Sequence, residues 1–147
     1  MISKILVAMD GSESSLKAYQ YASFLAKQCN AMLLIVNIFD AFDKIPSKIK
    51  QEIGDIARLI EAEGGTAVTV QILDDYKSQA KHYGIRDVKT VRREGNAAAE
   101  ILHIADEERV DTIVIGSTGI RSVKEFLLGD VSYKVVHHAK CPVTVVR

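Results

Sequence analysis

Apolar residues follow two kinds of pattern in this chain, and the two alternate along its length. Unbroken runs at residues 3–9 (SKILVAM) and 32–39 (MLLIVNIF) predict strands covered on both faces. Between them Leu16, Tyr19, Ala22, Ala26 and Cys29 recur at helical spacing, with Ser12 placed to cap that helix. Residues 40–46 read as a loop, and 47–63 as a second helix built on Ile49, Ile53, Ile56, Ala57 and Ile60. Gly64-Gly65 interrupts it. The following TAVTVQI alternates as a strand would, yet Val68, Ile72, Tyr76 and Ala80 keep a four-residue spacing into LDDYKSQAKHY. Length favours a helix there, closed by Gly84.

The same alternation continues in the second half. DVKTVRRE (87–94) predicts a half-polar strand, AAAEILHIADEE a helix, Thr112 to Ile115 a strand, Val131 to His138 a helix and VTVVR a last strand. Strands separated by helices imply right-handed crossovers, hence a parallel α/β sheet with helices on both faces. In the doubly wound order 3-2-1-4-5, the first and fourth strands are neighbours, and ligands bind beyond their carboxyl ends. Asp10 and Gly116 stand at those two ends. No linker, low-complexity tract or strong repeat interrupts residues 1–147, so a single domain is expected.

Charge narrows the partners. Lysine plus arginine and aspartate plus glutamate number 19 each, giving a formal net charge of zero. Nucleic acid and anionic membrane surfaces are therefore not expected partners. The apolar runs are too short to span a bilayer, and MISKILVAMDGSE lacks the length and cleavage site of a signal peptide. A cytoplasmic location is expected. Cys29 and Cys141, without partners at metal-ligand spacing, read as buried, unreactive thiols.

Other candidates carry bland readings. His137 and His138 point about 100° apart on a helix, which suits its C-terminal dipole better than chelation. His82 and His103 read as surface or packing residues. Asp74-Asp75 and Asp106-Glu107-Glu108 look like solvated helix faces, and acidic residues flank Lys89, Arg92 and Arg93. No G-x-S-x-G elbow, H-E-x-x-H or Walker-type loop is present. Asp10 on these grounds alone is a turn residue of Asp-Gly-Ser.

Four motifs in order change the weight of these readings: VAMDGS, LLIVNIF, VRREGNAAAEILHIADEERVDTIVIGSTG and CPVTVV. Gly116, Gly119 and Gly129 are separated by two and nine residues. On these motifs the chain resembles the universal stress protein family over essentially its whole length. The resemblance implies a flavodoxin-like sheet cradling an adenine nucleotide, ATP or AMP. Asp10 and the backbone at Ala8 and Met9 would flank ribose and adenine, and the backbone at Ile38 would read the adenine edge. Gly116, Ser117 and Gly119 would approach the sugar and phosphates, with Gly129, Asp130 and Val131 completing the cradle. Asn37 stands where many relatives have histidine. The resemblance also implies a homodimer through residues 143–146, an expectation that the uncovered β-branched edge supports independently.

One position departs from the family pattern. Asp130 stands where its ATP binders carry serine, threonine or asparagine. Aspartate is expected to serve as the N-cap of the last helix. As a carboxylate it only accepts hydrogen bonds, and it would occupy N–H groups that a phosphate needs. Two unit charges ~4 Å apart interact by about 4 kcal/mol at an effective dielectric of 20. Three arrangements would relieve the repulsion: a Mg²⁺ bridging Asp130 and phosphate, an offset by Arg121 or Lys124, or a shorter nucleotide. The expected function is a non-catalytic stress-response module that binds an adenine nucleotide. Two alternatives are a member that has lost nucleotide and acts through protein contacts, and a slow Mg²⁺-dependent ATP hydrolase in which Asp10 and Asp130 share the metal.

Overall fold

Ile5, Leu6 and Val7 are wholly enclosed, because alternate side chains of their strand feed two separate cores. The computed structural model describes residues 1–39, 70–118 and 128–147. Their elements, in chain order, are β1 (Lys4–Ala8), α1 (Glu13–Cys29), β2 (Met32–Phe39), α2 (Val70–Tyr83) and β3 (Val88–Glu94). They continue with α3 (Ala97–Glu108), β4 (Thr112–Gly116), α4 (Asp130–His138) and β5 (Val143–Val146). The sheet is parallel in the expected order, β3-β2-β1-β4-β5. Ala8 stands opposite Val36, Val7 opposite Val114, and Gly116 opposite Val146. The loop and helix expected over 40–63 lie outside the described residues, as do Gly64, Gly65 and Val68.

Each face of the sheet has its own helix pair. Ile5, Val7, Leu33, Ile35 and Val114 pack under α1 and α2. Leu6, Leu34, Val36, Ile113 and Ile115 pack under α3 and α4. Ser12 caps α1 as expected, its side chain accepting from Ser15 N at 3.1 Å. The buried face of α1 is Ser15, Ala18, Tyr19, Ala22, Ser23 and Ala26. Small residues on that face let the helix lie close to the sheet. Leu16, expected on it, is instead 37% exposed, since its position lies about 100° round the helix from Ser15. In α2 the phase shifts likewise: Leu73 and Ala80 enter the core, while Ile72 remains largely outside.

Side-chain bonds fasten the ends of the elements. Asn96 Oδ1 accepts from Ala99 N at the start of α3, and Gly84 turns the chain after α2 with φ +113°. Asp111 Oδ2, just before β4, accepts from Ser3 N at 2.8 Å, Ser3 Oγ at 2.9 Å and Lys4 N at 2.8 Å. These bonds hold its carboxyl below the ordinary range. The basic residues of β3 meet acids on α3: Arg93 reaches Glu100 and Glu107, and Lys89 lies 2.6 Å from Glu108. Both cysteines are half-buried rather than buried, Cys29 as the last residue of α1 and Cys141 just before β5; burial still pushes the Cys141 thiol up.

Candidate functional site

Three chain segments meet where the sheet order reverses. The first leaves β1. Met9 N donates to Val36 O at 2.8 Å, and Asn37 Nδ2 donates to Met9 O at 2.7 Å. Both polar backbone atoms of Met9 are thus engaged within the fold. Asp10, half-buried, accepts from Ser12 N at 2.9 Å through Oδ1, and Gly11 adopts φ +85°. This is the local turn that Asp-Gly-Ser favours, and it leads straight into the cap of α1. Ala8 ends β1 opposite Val36, and Ile38 is half-buried near the end of β2 opposite Arg93.

The second segment leaves β4. A Cβ on Gly116 would stand 2.8 Å from the carbonyl carbon of Ser14 and 2.9 Å from its oxygen. Glycine at this position therefore has a packing reason: the first turn of α1 occupies the space. Beyond it, Ser117 N donates to Val146 O at 2.8 Å. Ser117 O accepts from Gly129 N at 2.7 Å and from Ser132 Oγ at 2.9 Å. One carbonyl thereby brings the third segment, the start of α4, against the end of β4. Gly119, Arg121 and Lys124 lie outside the described residues.

At the third segment the structure corrects the sequence reading of Asp130. Gly129, at φ −59° and ψ 159°, is the N-cap, and Asp130 is the first helical residue. Glycine takes the cap conformation without help, and the Ser132 hydroxyl braces it by donating to Gly129 O at 3.0 Å. The Asp130 carboxylate does not cap the helix. Its side chain is 83% exposed, with Oδ2 3.3 Å from Lys134 Nζ, one turn along. Among the described residues, the cation beside Asp130 is Lys134. The first-turn N–H groups of Asp130, Val131 and Ser132 find no acceptor among the described residues. Such a turn favours an anion through its unpaired donors and the positive end of the helix dipole. Val131 itself is half-buried, packed toward the core of α3 and α4.

Sequence reasoning passed over Ser132 and gave little weight to Asn37. Ser132 is buried and bonded to both Ser117 and Gly129; its place three residues after a capping glycine was the available signal. Asn37 is 3% exposed and leaves its Oδ1 without a partner. A polar residue inside the apolar run MLLIVNIF was the signal for it. Among the described residues no group of three or more His, Cys, Asp or Glu stands at metal-binding distance. A cavity of about 250 Å³ lies at the opposite end of the sheet, lined by Leu102, Ile113, His138, Lys140 and Cys141 among others. It is remote from the strand ends just described. No described helix is long and apolar enough to cross a membrane.

Comparison with known proteins agrees with this arrangement. Residues 1–147 match the sequence model of the universal stress protein family. The chain is 36% identical to the universal stress protein YxiE of Bacillus subtilis, over the full length of both. It is 34% identical to a universal stress protein of Methanocaldococcus jannaschii, covering 98% of this chain and 81% of that one. Its fold is similar to that of the universal stress protein UspA from Lactobacillus plantarum, with a TM-score of 0.82 at 22% identity over 99% and 98% of the two chains. A universal stress protein solved in complex with cAMP superposes with a TM-score of 0.70 at 25% identity, covering 99% and 97%.

Proposed function

Since the chain belongs to the universal stress protein family, we propose that it is a non-catalytic regulatory module binding an adenine nucleotide, ATP or AMP, beyond the ends of β1 and β4. The observation that carries this reading is the first turn of α4. Three N–H groups without an acceptor among the described residues stand beside Ser117, the residue that follows β4. A phosphate oxygen supplies the acceptors they lack. The similar protein solved with cAMP supports an adenine nucleotide as the ligand class. Lys134 offsets the Asp130 carboxylate, whose exposed side chain could still share a Mg²⁺ with phosphate.

Binding changes the surface offered to protein partners in the cytoplasm. The module works as a homodimer paired through β5, whose outer edge carries no further strand among the described residues. Calorimetric titration of ATP and AMP into the purified chain, with and without Mg²⁺, tests the reading. Micromolar binding supports it, and a dependence on Mg²⁺ that disappears in Asp130→Ser assigns the metal to Asp130. Absence of heat with either nucleotide, confirmed by equilibrium dialysis, overturns it in favour of a module that acts through protein contacts alone.

A further inference from the structure

Asn37 is a buried amide with only one of its two polar atoms satisfied. Only its nitrogen can donate, so the 2.7 Å bond to Met9 O fixes the orientation of the group and leaves Oδ1 as an acceptor. That oxygen is shielded from water and has no donor. Folded proteins rarely keep such an atom unless a ligand or bound water completes it. Its position is informative. β1 and β2 pair up to Ala8 and Val36, so Asn37 is the first residue of β2 beyond that pair. It is clamped to Met9 and precedes Ile38, the two backbone segments that the family resemblance implies lie beside the base.

We propose that Asn37 is the base-selecting residue of the nucleotide site, its Oδ1 accepting a hydrogen from the exocyclic amine of adenine. The inference rests on the adenine-nucleotide reading above. Hypoxanthine and guanine present a carbonyl oxygen at the same ring position, where two acceptors would face each other. A polar site built for one hydrogen-bonding pattern rejects its inverse strongly. Asn37 therefore gives the site a preference for adenine that the phosphate cradle, which contacts no base, cannot give.

The test titrates AMP and IMP into the full chain and into Asn37→Leu, which keeps the volume and deletes both polar atoms. The native protein is expected to prefer AMP by about tenfold or more, and the variant to bind the two within about twofold of each other. A simple loss of stability would weaken both nucleotides alike and leave their ratio unchanged. A second measurement needs no variant at this position. The chain has three asparagines, Asn30, Asn37 and Asn96, so selective ¹³C labelling of the side-chain carbonyl yields a readable spectrum. Asn30→Gly and Asn96→Ser, both cap-compatible, identify the Asn37 signal by elimination. AMP should move that signal downfield and IMP should not. Equal affinity of the native protein for AMP and IMP overturns this inference and leaves the nucleotide reading standing. So does a preference that survives in Asn37→Leu, or a signal that ignores AMP because a bound water already satisfies the oxygen. Failure of the native protein to bind either nucleotide overturns both.

Discussion

Lys134 Nζ lies 3.3 Å from Asp130 Oδ2, one helical turn away, so the carboxylate at the start of α4 carries its own counter-charge. The pair is exposed, 49% for Lys134 and 83% for Asp130, and solvent screens it. Removing one member changes the field at the first-turn N–H groups. Lys134→Gln should weaken ATP binding about three- to tenfold, and Asp130→Ser should strengthen it by a similar factor. AMP, with less charge, should respond less to either change. Calorimetry at low salt and at about 0.5 M salt checks this; the differences should shrink at the higher value. Affinities untouched by both substitutions would mean that neither side chain faces the phosphates.

Gly116 makes a prediction about stability rather than binding. Gly116→Ala drives a methyl group against the backbone of Ser14, at 2.8 Å and 2.9 Å from carbonyl carbon and oxygen. Overpacking of this kind typically costs about 1–3 kcal/mol. Urea denaturation should show that loss. The methyl meets the Ser14 hydroxyl as well as its backbone, so adding Ser14→Gly relieves only the side-chain part and should leave most of the loss; full recovery in the double variant would place the constraint on the Ser14 side chain alone.

Acid sensitivity should concentrate at the amino ends of the strands. The bonds from Ser3 and Lys4 hold the Asp111 carboxyl below its ordinary value of 3.8 in the folded protein. The stability it contributes is therefore complete well above pH 3.8 and is lost as pH falls through that value toward the lower folded one. Hydrogen bonds from Arg93 to Glu107 and from Lys89 to Glu108 act in the same direction. Asp111→Asn should lower the urea midpoint at neutral pH, and the gap from the native protein should narrow progressively as pH falls below 3.8. A gap independent of pH would show that the carboxylate charge is not what stabilises the contact.

The free edge of β5 sets the prediction for assembly. Thr144 is half-buried in the middle of Val143–Val146, on the last strand of the sheet. Lysine on an edge strand opposes pairing with a second chain. Light scattering should find the native protein as a dimer at micromolar concentration and Thr144→Lys as a monomer with an unchanged circular dichroism spectrum. A monomeric native protein would remove β5 as the interface.

The strand order was legible because each buried strand is an unbroken apolar run, and only a central position needs apolar residues on both faces. Helix phase was less so. Leu16 and Ile72 fit the spacing by hydrophobicity, while alanines and serines made the closest approach to the sheet, which a count of large apolar residues does not weigh. At the site, Gly129 and Asp130 are both acceptable caps by residue type. The choice between them fell to Ser132, whose hydroxyl braces Gly129 and whose role depends on Ser117, fifteen positions earlier. Gly116 was legible as a close approach, but the partner is Ser14 of α1. Spacing shows that two backbones must meet; it does not say which second backbone arrives.

The bond between Ser3 and Asp111 joins residues 108 positions apart, and that separation has a consequence for how the protein is made. β1 emerges from the ribosome first, yet one of its two flanking strands is β4. Until residues 112–116 have cleared the exit tunnel, the middle strand of the sheet has a bare edge, and its apolar side chains are only partly covered. Domains complete folding as their chain becomes available, and half-formed sheets are prone to aggregate. For most of its synthesis this chain is therefore a substrate for the factors that shield nascent polypeptides, and a ribosome stalled before β4 holds an adhesive fragment.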